Sequence, residues 1–173
     1  MDREEQELGE GLVRIFENVL LTEERSIRKG YFADLSIAEM HTLDAIGPYE
    51  ARTMTETASL LGITIGTLTV SIDRLVKKGY VERRRDENDR RIVRISLTRN
   101  GKLAARIHGK FHYVLARHIL EPYSQEEKDL LLKMVKDVDE YIETQAHRYD
   151  NTESVRKTAK EVAVDTRRRK QNG

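Results

Sequence analysis

Cysteine and tryptophan are both absent from the 173-residue sequence, and aromatic residues make up only 6% of it. Without cysteine the chain can form no disulfide, use no thiolate chemistry and build no cysteine zinc site. A lone globule of this length usually carries more aromatic core than this. The composition therefore favours long amphipathic helices that share a core with a partner chain.

Long apolar runs and common catalytic motifs are also missing. No run approaches the roughly 18 residues that a membrane helix needs, and the N-terminal segment MDREEQELGE is too charged for a signal peptide. Hydrolysis needs a positioned nucleophile and base, and the chain has no glycine-rich phosphate loop, HExxH or GxSxG motif. These absences predict a cytoplasmic protein with no membrane partner, no cofactor and no enzymatic activity.

Charged residues, in contrast, make up 35% of the chain, and the basic ones are segregated. The segment from Arg74 to Arg117 holds 14 lysines and arginines but four acidic residues, so its net charge is +10 while the rest carries −9. Such a basic block is the electrostatic footprint expected of nucleic-acid binding, although a solvated charged face gives the same pattern. The local architecture has to distinguish these alternatives.

Helical signals dominate the first half of the sequence. Apolar residues recur at helical spacing over about residues 5–28. Three shorter helices follow, and their predicted N-caps are Ser36, Thr53 and Thr64. The last of these helices is predicted to end at Lys78, where a glycine follows.

The pattern changes after this helix. Two strands are predicted at 80–85 and 92–97, joined by a polar tract. In the second strand, apolar positions 93, 95 and 97 alternate with polar ones, which predicts one buried face. Two long helices should follow, from Thr98 to about Leu120 and from Ser124 onward, and the residues after about 150 have the composition of a disordered tail.

Two short helices, a glycine turn, a further helix and a charged hairpin together predict a winged helix-turn-helix. Gly62 can adopt the left-handed backbone that the sharp corner requires. At 100° per residue, the helix of residues 64–78 places Leu68, Ile72 and Leu75 on its core face and small side chains on the opposite face. A helix with such a low profile can lie in a major groove roughly 12 Å wide. A threonine-rich surface helix without a partner is the plain alternative.

Three groups of residues are predicted to contact duplex DNA. Recognition-helix contacts are predicted for Thr64, Gly66, Thr67, Thr69, Val70, Ser71 and Arg74. Wing contacts are predicted for Arg84, Asn88, Asp89, Arg90 and Arg91. Phosphate contacts are predicted for Thr53, Thr55 and Lys77. Arg90, at the tip, is long enough to enter a minor groove. Asp86 and Asp89 are expected to pair with arginines and shape the hairpin, and which wing arginines clamp phosphates stays open.

The N-terminal helix and the last helix each show an apolar stripe too wide for an exposed surface. The winged lobe alone offers too little area to cover both stripes. A homodimer is therefore predicted.

The stretch LVKKGYVER at 75–83, and the wing sequence DENDRR at 86–91 before Leu97 and Thr98, resemble the MarR family of transcription regulators. The similarity covers about residues 8–146. It implies a mainly α fold with a small β-hairpin wing. It also implies a dimer that binds a pseudo-palindromic operator and represses transcription. Asn88 departs from the arginine that many members have there.

This resemblance also implies the domain organisation. Residues 1–149 would form a single MarR-type domain, with the winged lobe at about 36–97 and dimerisation helices at 5–30 and 98–148. Residues 150–173 would form a separate charged tail, longer than family members usually carry.

The segments SIAEMHT at 36–42, GTLT at 66–69 and RIHGKFH at 106–112 are similar to the family branch that represses bacterial fatty-acid synthesis genes. In that branch a long-chain acyl group, carried on acyl carrier protein, is the co-repressor. The resemblance implies an apolar effector pocket with a polar mouth, although each lining residue could be ordinary core. Its predicted lining is Phe16, Val19, Leu20, Met40, His41, Leu43, His108, Phe111, His112 and Leu115.

Metal sensing is an alternative. His108 and His112 are spaced i, i+4 on one helix face, which suits a zinc ion, and His41 could complete three ligands. Zinc-sensing relatives add a cysteine and a carboxylate, but this chain has no cysteine and has Met40 where an acid would be needed. We therefore predict no metal and interpret the histidines as structural or pocket-lining. A second alternative is nonspecific binding to double-stranded nucleic acid.

Overall fold

The computed structural model describes residues 2–86 and 88–150, so the predicted tail beyond residue 150 lies outside the described residues. Within the described ranges the chain is mainly helical, as predicted, with three short strands. The elements in chain order are α1 (Arg3–Lys29), α2 (Ile37–Ile46), β1 (Arg52–Thr53), α3 (Met54–Leu60), α4 (Ile65–Lys77), β2 (Val81–Arg85), β3 (Val93–Leu97), α5 (Arg99–Leu120) and α6 (Gln125–Asp150).

Side-chain caps begin the helices where the sequence predicted them. The Ser36 hydroxyl accepts the Glu39 N–H at 3.2 Å, and the Glu39 carboxylate accepts the Ser36 N–H at 2.9 Å. Thr53 and Glu56 repeat this reciprocal arrangement at the start of α3. These boxes satisfy backbone donors that a helix start leaves without partners. The boundaries of α2 and α3 are thus set by local chemistry.

A three-stranded antiparallel sheet in the order β1-β3-β2 lies beside the helices. The β2–β3 hairpin matches the prediction to within one residue at each end. The sequence did not predict β1, a two-residue strand whose Arg52 pairs with Ile95 of β3. The prediction that Val93 faces the core was wrong, because Val93 pairs with Arg85 at the outer end of the hairpin and is 37% exposed.

The core lies where α2, α4 and β3 meet. Its fully buried side chains include Leu43, Ile46, Leu68, Ile72, Leu75 and Ile95. Burying one such aliphatic side chain stabilises a fold by about 1.5–3 kcal/mol. The predicted core face of α4 is confirmed, and it fixes which side of α4 is left for solvent.

The chain divides into two compact units, Met1–Arg117 and His118–Gly173. The first contains α1 to α4, the sheet and most of α5. The described part of the second contains the end of α5, a turn and α6. No single helix among the described residues is long and apolar enough to cross a membrane, while α3 and α4 pass that test only as a pair bent by 106°.

Candidate nucleic-acid interface and effector region

The corner between α3 and α4 is a sharp turn built on Gly62. Its φ of +63° is the left-handed conformation that side-chain-bearing residues rarely adopt. The two helices meet at an angle of 106°, and the Thr64 hydroxyl caps α4 by accepting the Thr67 N–H at 3.2 Å. This geometry is a helix-turn-helix, with α4 in the position of the recognition helix.

The outer face of α4 is exposed and has a low profile. Thr64, Gly66, Thr67, Val70 and Arg74 are all exposed, and Val70 is 52% exposed. The Thr64 and Thr67 hydroxyls lie 2.9 Å apart at the first turn. The predicted contact residues of this helix therefore share a solvent-facing surface, with two exceptions.

The exceptions are Thr69 and Ser71, which are half-buried. The Thr69 hydroxyl donates to the Ile65 carbonyl at 2.8 Å, which occupies it within the helix. The Ser71 hydroxyl lies 3.2 Å from that of Thr42 on α2. This contact places Ser71 beside α2, so its predicted contact with DNA stays a prediction.

The ion pairs of the hairpin distinguish two groups of arginines. Arg83 pairs with Asp73 of α4 at 2.6 Å, Arg84 pairs with Glu82 at 3.1 Å, and Arg94 pairs with Asp86. Within residues 2–86 and 88–150, the remaining hairpin arginines form no ion pair and are exposed; they are Arg85, Arg90 and Arg91. Those three guanidinium groups remain available for phosphates.

Of the two acidic residues expected to pair with arginines, Asp86 does so and Asp89 bonds to backbone. The Asp86 carboxylate accepts the N–H groups of Asn88 at 2.9 Å and Asp89 at 3.1 Å. Its hydrogen bond from the Arg94 guanidinium, together with those two N–H groups, lowers the pKa of Asp86 to about 2. The Asp89 carboxylate accepts the Arg91 N–H at 2.9 Å, so this acid bonds to backbone instead of a guanidinium. Asn88 is exposed.

The predicted phosphate contacts lie at helix ends. Thr53 is half-buried, and its hydroxyl donates to Glu56 at 2.9 Å. Thr55 is exposed in the first turn of α3, and Lys77 is exposed at the last residue of α4. Thr53 is thus already engaged in capping, while Thr55 and Lys77 are open to solvent.

Side chains that follow α4 fasten its C-terminal end. The Lys78 ammonium donates to both carboxylate oxygens of Glu39, at 2.9 and 2.8 Å. The Tyr80 hydroxyl donates to Asp34 at 2.8 Å. Burial and this hydrogen bond raise the pKa of Tyr80 to about 12. The recognition helix is therefore tied to the start of α2 and to the loop before it.

The fold and this surface define a winged helix-turn-helix DNA-binding protein. A family model described as the MarR family matches residues 35–93. The chain is 33% identical over 129 residues to YfiV of Bacillus subtilis, an uncharacterized HTH-type transcriptional regulator, and the match spans 65% of this chain and 80% of YfiV. The chain belongs to the MarR family and is a DNA-binding transcriptional regulator.

Two further relatives refine the comparison. The chain is 36% identical over 84 residues to the repressor YetL of Bacillus subtilis, and this match spans 49% of the chain and half the length of YetL. The crystal structure of Streptococcus pneumoniae FabT in complex with DNA superposes with a TM-score of 0.76 at 40% identity, covering 80% of this chain and 97% of FabT.

Three of the predicted effector residues line one cavity of the first unit. Met40, His108 and Phe111 line a cavity of about 50 Å³, which also includes Ile27, Phe32 and Ile107. Leu43 is fully buried in the core. Phe16 is exposed, and the half-buried Val19, Leu20 and Leu115 lie outside this cavity lining.

A cluster of three histidines and two acids adjoins this cavity; it comprises Glu23, His41, Asp44, His108 and His112. His41 Nε2 lies 2.9 Å from Glu23 Oε1, and His108 Nε2 contacts the same oxygen. His112 Nε2 lies 3.2 Å from His108 Nε2. Glu23 was missed by the sequence interpretation because it lies 18 positions from His41 and 85 from His108.

Burial and hydrogen bonding act in opposite directions on this cluster. Burial raises the pKa of Glu23, but hydrogen bonds to His108 and His41 outweigh it and leave that pKa below its ordinary value. Burial lowers the pKa of His108, but its bonds to Asp44 and Glu23 outweigh burial and raise that pKa overall. The cluster therefore favours the charged forms of two buried groups, Glu23 on α1 and His108 on α5.

Proposed function

We propose that the chain is a repressor that binds a pseudo-palindromic operator as a homodimer. The observation that carries this proposal is the exposed outer face of α4, with Thr67 and Val70, beside the wing. Threonine and valine can touch thymine methyl groups in the major groove. Arg90 can reach the adjacent minor groove, where narrow A·T-rich DNA concentrates negative potential. Membership of the MarR family supports the assignment.

The apolar faces of the long helices support the homodimer. On α1, large side chains that are at least 44% exposed are Leu8, Leu12, Val13, Ile15 and Phe16. On α6, those at least 51% exposed are Leu130, Leu132, Met134, Val135, Tyr141 and Ile142. Monomeric proteins rarely expose apolar rows of this length, which mark interaction surfaces. We propose that a second copy of the chain covers them.

Footprinting tests this function against nonspecific binding. We expect one protected region with two-fold symmetry, roughly 15–25 bp long, because two recognition helices enter half-sites one helical turn apart. An excess of random duplex should leave the protection unchanged. Uniform coverage of any duplex would contradict the proposal and favour nonspecific binding.

We further propose that the regulated genes are those of fatty-acid synthesis, with a long-chain acyl group on acyl carrier protein as the co-repressor. Support comes from the similarity of segments 36–42 and 106–112 to that branch of the family, and from the 40% identity to FabT. The 50 Å³ cavity is far smaller than the roughly 300–1,000 Å³ typical of small-molecule sites. An acyl chain could enter there only if the surrounding helices moved apart.

A gel-shift titration tests the co-repressor. Acyl carrier protein that carries a long-chain acyl group should tighten operator binding by about tenfold, which is within the usual range of allosteric coupling. Acyl carrier protein without an acyl group is the control and should have no effect. Equal operator affinity with both forms would overturn the co-repressor proposal and leave operator binding intact.

A further inference from the structure

We propose that the outer face of α5 is the surface on which acyl carrier protein docks. The inference rests on the co-repressor function proposed above and deepens it, because it names where the carrier binds. It concerns an interface between two proteins, separate from the DNA contacts proposed for α4 and the wing.

Helix α5 carries lysines and arginines but no acidic residue. Five such cations among its 22 residues give it a net charge of +5. This is half of the net charge of +10 in the segment from Arg74 to Arg117. The basic face of α5 consists of Arg99, Lys102, Arg106, Lys110 and Arg117. Half of the charge of the basic segment therefore lies outside α4 and the hairpin.

The five cations share one side of the helix. At about 100° per residue, they fall within about 80° of one another around the helix axis. The buried residues of α5, which include Ala104, Ala105 and His108, lie on the opposite side. Four of the cations are exposed, and Lys102 is half-buried. The face is about 27 Å long at a rise of about 1.5 Å per residue, which is long enough to lie along a helix of a partner protein.

The charge of this face is not neutralised within the chain. In the hairpin, Arg83, Arg84 and Arg94 each pair with a carboxylate. In the part of the chain that the structure describes, none of the five cations of α5 forms an ion pair. Like charges repel along one side of a helix, and an acidic surface would offset that repulsion. The face therefore suits a partner of opposite charge.

An apolar row lies directly beside the basic face. Leu103, Ile107 and Val114 are 49%, 46% and 42% exposed, and they lie within about 40° of one another around the helix axis. Affinity for duplex nucleic acid comes mainly from cations on phosphates, to which an aliphatic row contributes nothing. Protein interfaces, in contrast, combine an apolar centre with a polar rim. The two adjacent rows therefore favour an acidic protein over DNA as the partner.

The apolar row also connects the basic face to the effector region. Ile107 belongs to this row and lines the cavity of about 50 Å³, together with Phe111 of the same helix. Acyl carrier protein is a small acidic protein, so its charge is complementary to the basic face. A carrier docked on α5 would hold its acyl group at the edge of the cavity that the acyl chain has to enter.

A second copy of the chain is a poor partner for this face. A contact across a two-fold axis places the same surface of both copies together. Two faces that each carry +5 would repel each other there. We therefore expect the basic face to stay accessible in the proposed dimer.

Charge reversal in the middle of the face tests the docking. The variant combines Arg106→Glu with Lys110→Glu, at two exposed positions. The probe is acyl carrier protein with a long-chain acyl group, and surface plasmon resonance measures its association with the full chain without DNA. We expect the association rate to fall by about tenfold or more, because electrostatic steering accelerates association by roughly 10–10³-fold. Added salt should slow association with the wild type more than with the variant.

The matched control combines Arg3→Glu with Arg14→Glu, which makes the same change of charge at two exposed positions of α1. At about 100° per residue, these two arginines lie opposite the apolar row of α1, so the proposed dimer contact is spared. The control should associate with acyl carrier protein as fast as the wild type. Both variants should bind the operator as tightly as the wild type when acyl carrier protein is absent.

The outcomes separate this docking surface from the co-repressor function. Equal association rates in the wild type and the α5 variant would overturn the docking surface, while tighter operator binding by the wild type with acyl carrier protein would still support the co-repressor. A wild type that binds no acyl carrier protein would overturn both. Weaker operator binding by the α5 variant alone would assign the face to DNA, and its dissociation into monomers would assign the face to a second copy. Either of these last results would also overturn the proposal.

Discussion

Gly101 shows how one residue without a side chain joins the sheet to α5. A Cβ at this position would lie 2.1 Å from the Tyr80 carbonyl oxygen and 3.2 Å from Leu97 Cβ. The same junction is tied by the Thr98 N–H, which donates to the Tyr80 carbonyl at 3.0 Å. The first turn of α5 can therefore approach the hairpin only at a glycine.

Alanine at Gly101 should accordingly destabilise the fold by about 1–3 kcal/mol, the usual cost of overpacking. Gly109 on the same helix is the matched control, since a Cβ there meets nothing within 4 Å. Gly109→Ala should stabilise the protein by about 1 kcal/mol, because alanine is the better helix former. Urea denaturation at a fixed protein concentration measures the free energy of unfolding of both variants. A shift of the same sign for both variants would contradict the described junction.

Arg90, exposed at the tip of the hairpin, is the side chain that we propose for the minor-groove contact. Arg90→Ala should weaken operator binding by about 1–3 kcal/mol through loss of a groove contact. Arg14→Ala, an exposed arginine of α1, removes the same charge away from the winged lobe and should have little effect. Gel-shift titrations at one salt concentration measure the operator affinity of both variants. Unchanged binding in Arg90→Ala would remove the wing tip from the mechanism.

At the scale of elements, α4 is the helix that we propose for base recognition. Val70→Glu places a carboxylate on the outer face, where it would meet the bases and phosphates of the major groove. We expect specific binding to be lost, with the ratio of operator to random-duplex affinity falling toward one. Tyr31→Glu introduces the same charge in an exposed loop and is the control. Retained discrimination by Val70→Glu would show that α4 is not the recognition helix.

The ion pair between Glu39 and Lys78 joins α2 to the end of α4. Burial raises the pKa of Glu39, but hydrogen bonds from Lys78 and Ser36 outweigh it, so this pKa falls below 4.5 in the folded state. A lowered folded pKa means that the contribution to stability is complete above about pH 4.5 and is lost as pH falls through the folded pKa.

Glu39→Gln should therefore reduce the free energy of unfolding by about 1.5–3 kcal/mol at pH 7, the range for hydrogen bonds to charged groups. The difference from the wild type should shrink below about pH 4, where the carboxylate becomes protonated. Glu24→Gln is the control, since its 2.6 Å pair with Arg28 is exposed and such pairs contribute little. Urea denaturation across this pH range provides the measurement. A difference that is independent of pH would contradict the role of the Glu39 charge.

Elements set by local chemistry were the ones that the sequence predicted well. Ser36, Thr53 and Thr64 mark helix starts because a cap acts within three residues. Strand β1 was not foreseen because its only signal is pairing with a strand about 40 positions away. The histidine pair of α5 could be recognised from its spacing, whereas Glu23 reaches the cluster through the packing of α1. Contacts between segments that are distant in the chain cannot be predicted from the residue pattern of a single sequence.

At the scale of the whole molecule, the face of α6 centred on Met134 and Val138 is the best place to test assembly. Val138→Lys puts a charge within the apolar stripe and should shift the equilibrium from dimer to monomer. At 100° per residue, Glu143 lies on the opposite face of α6, so Glu143→Lys is the matched control. Sedimentation velocity over a range of protein concentrations measures the monomer–dimer equilibrium of both variants. A dimer that persists in Val138→Lys with unchanged affinity would exclude this face from the interface.

The internal ion pairs of the winged lobe bear on how the protein responds to ionic strength. Asp73 and Asp86 each neutralise a guanidinium before any nucleic acid arrives. Each phosphate that a cation neutralises releases condensed counterions, and the slope of log affinity against log salt concentration counts such contacts. The count of 14 lysines and arginines over residues 74–117 therefore overstates the number of cations that can displace counterions from DNA. Salt should weaken the complex less steeply than the composition of the basic segment suggests.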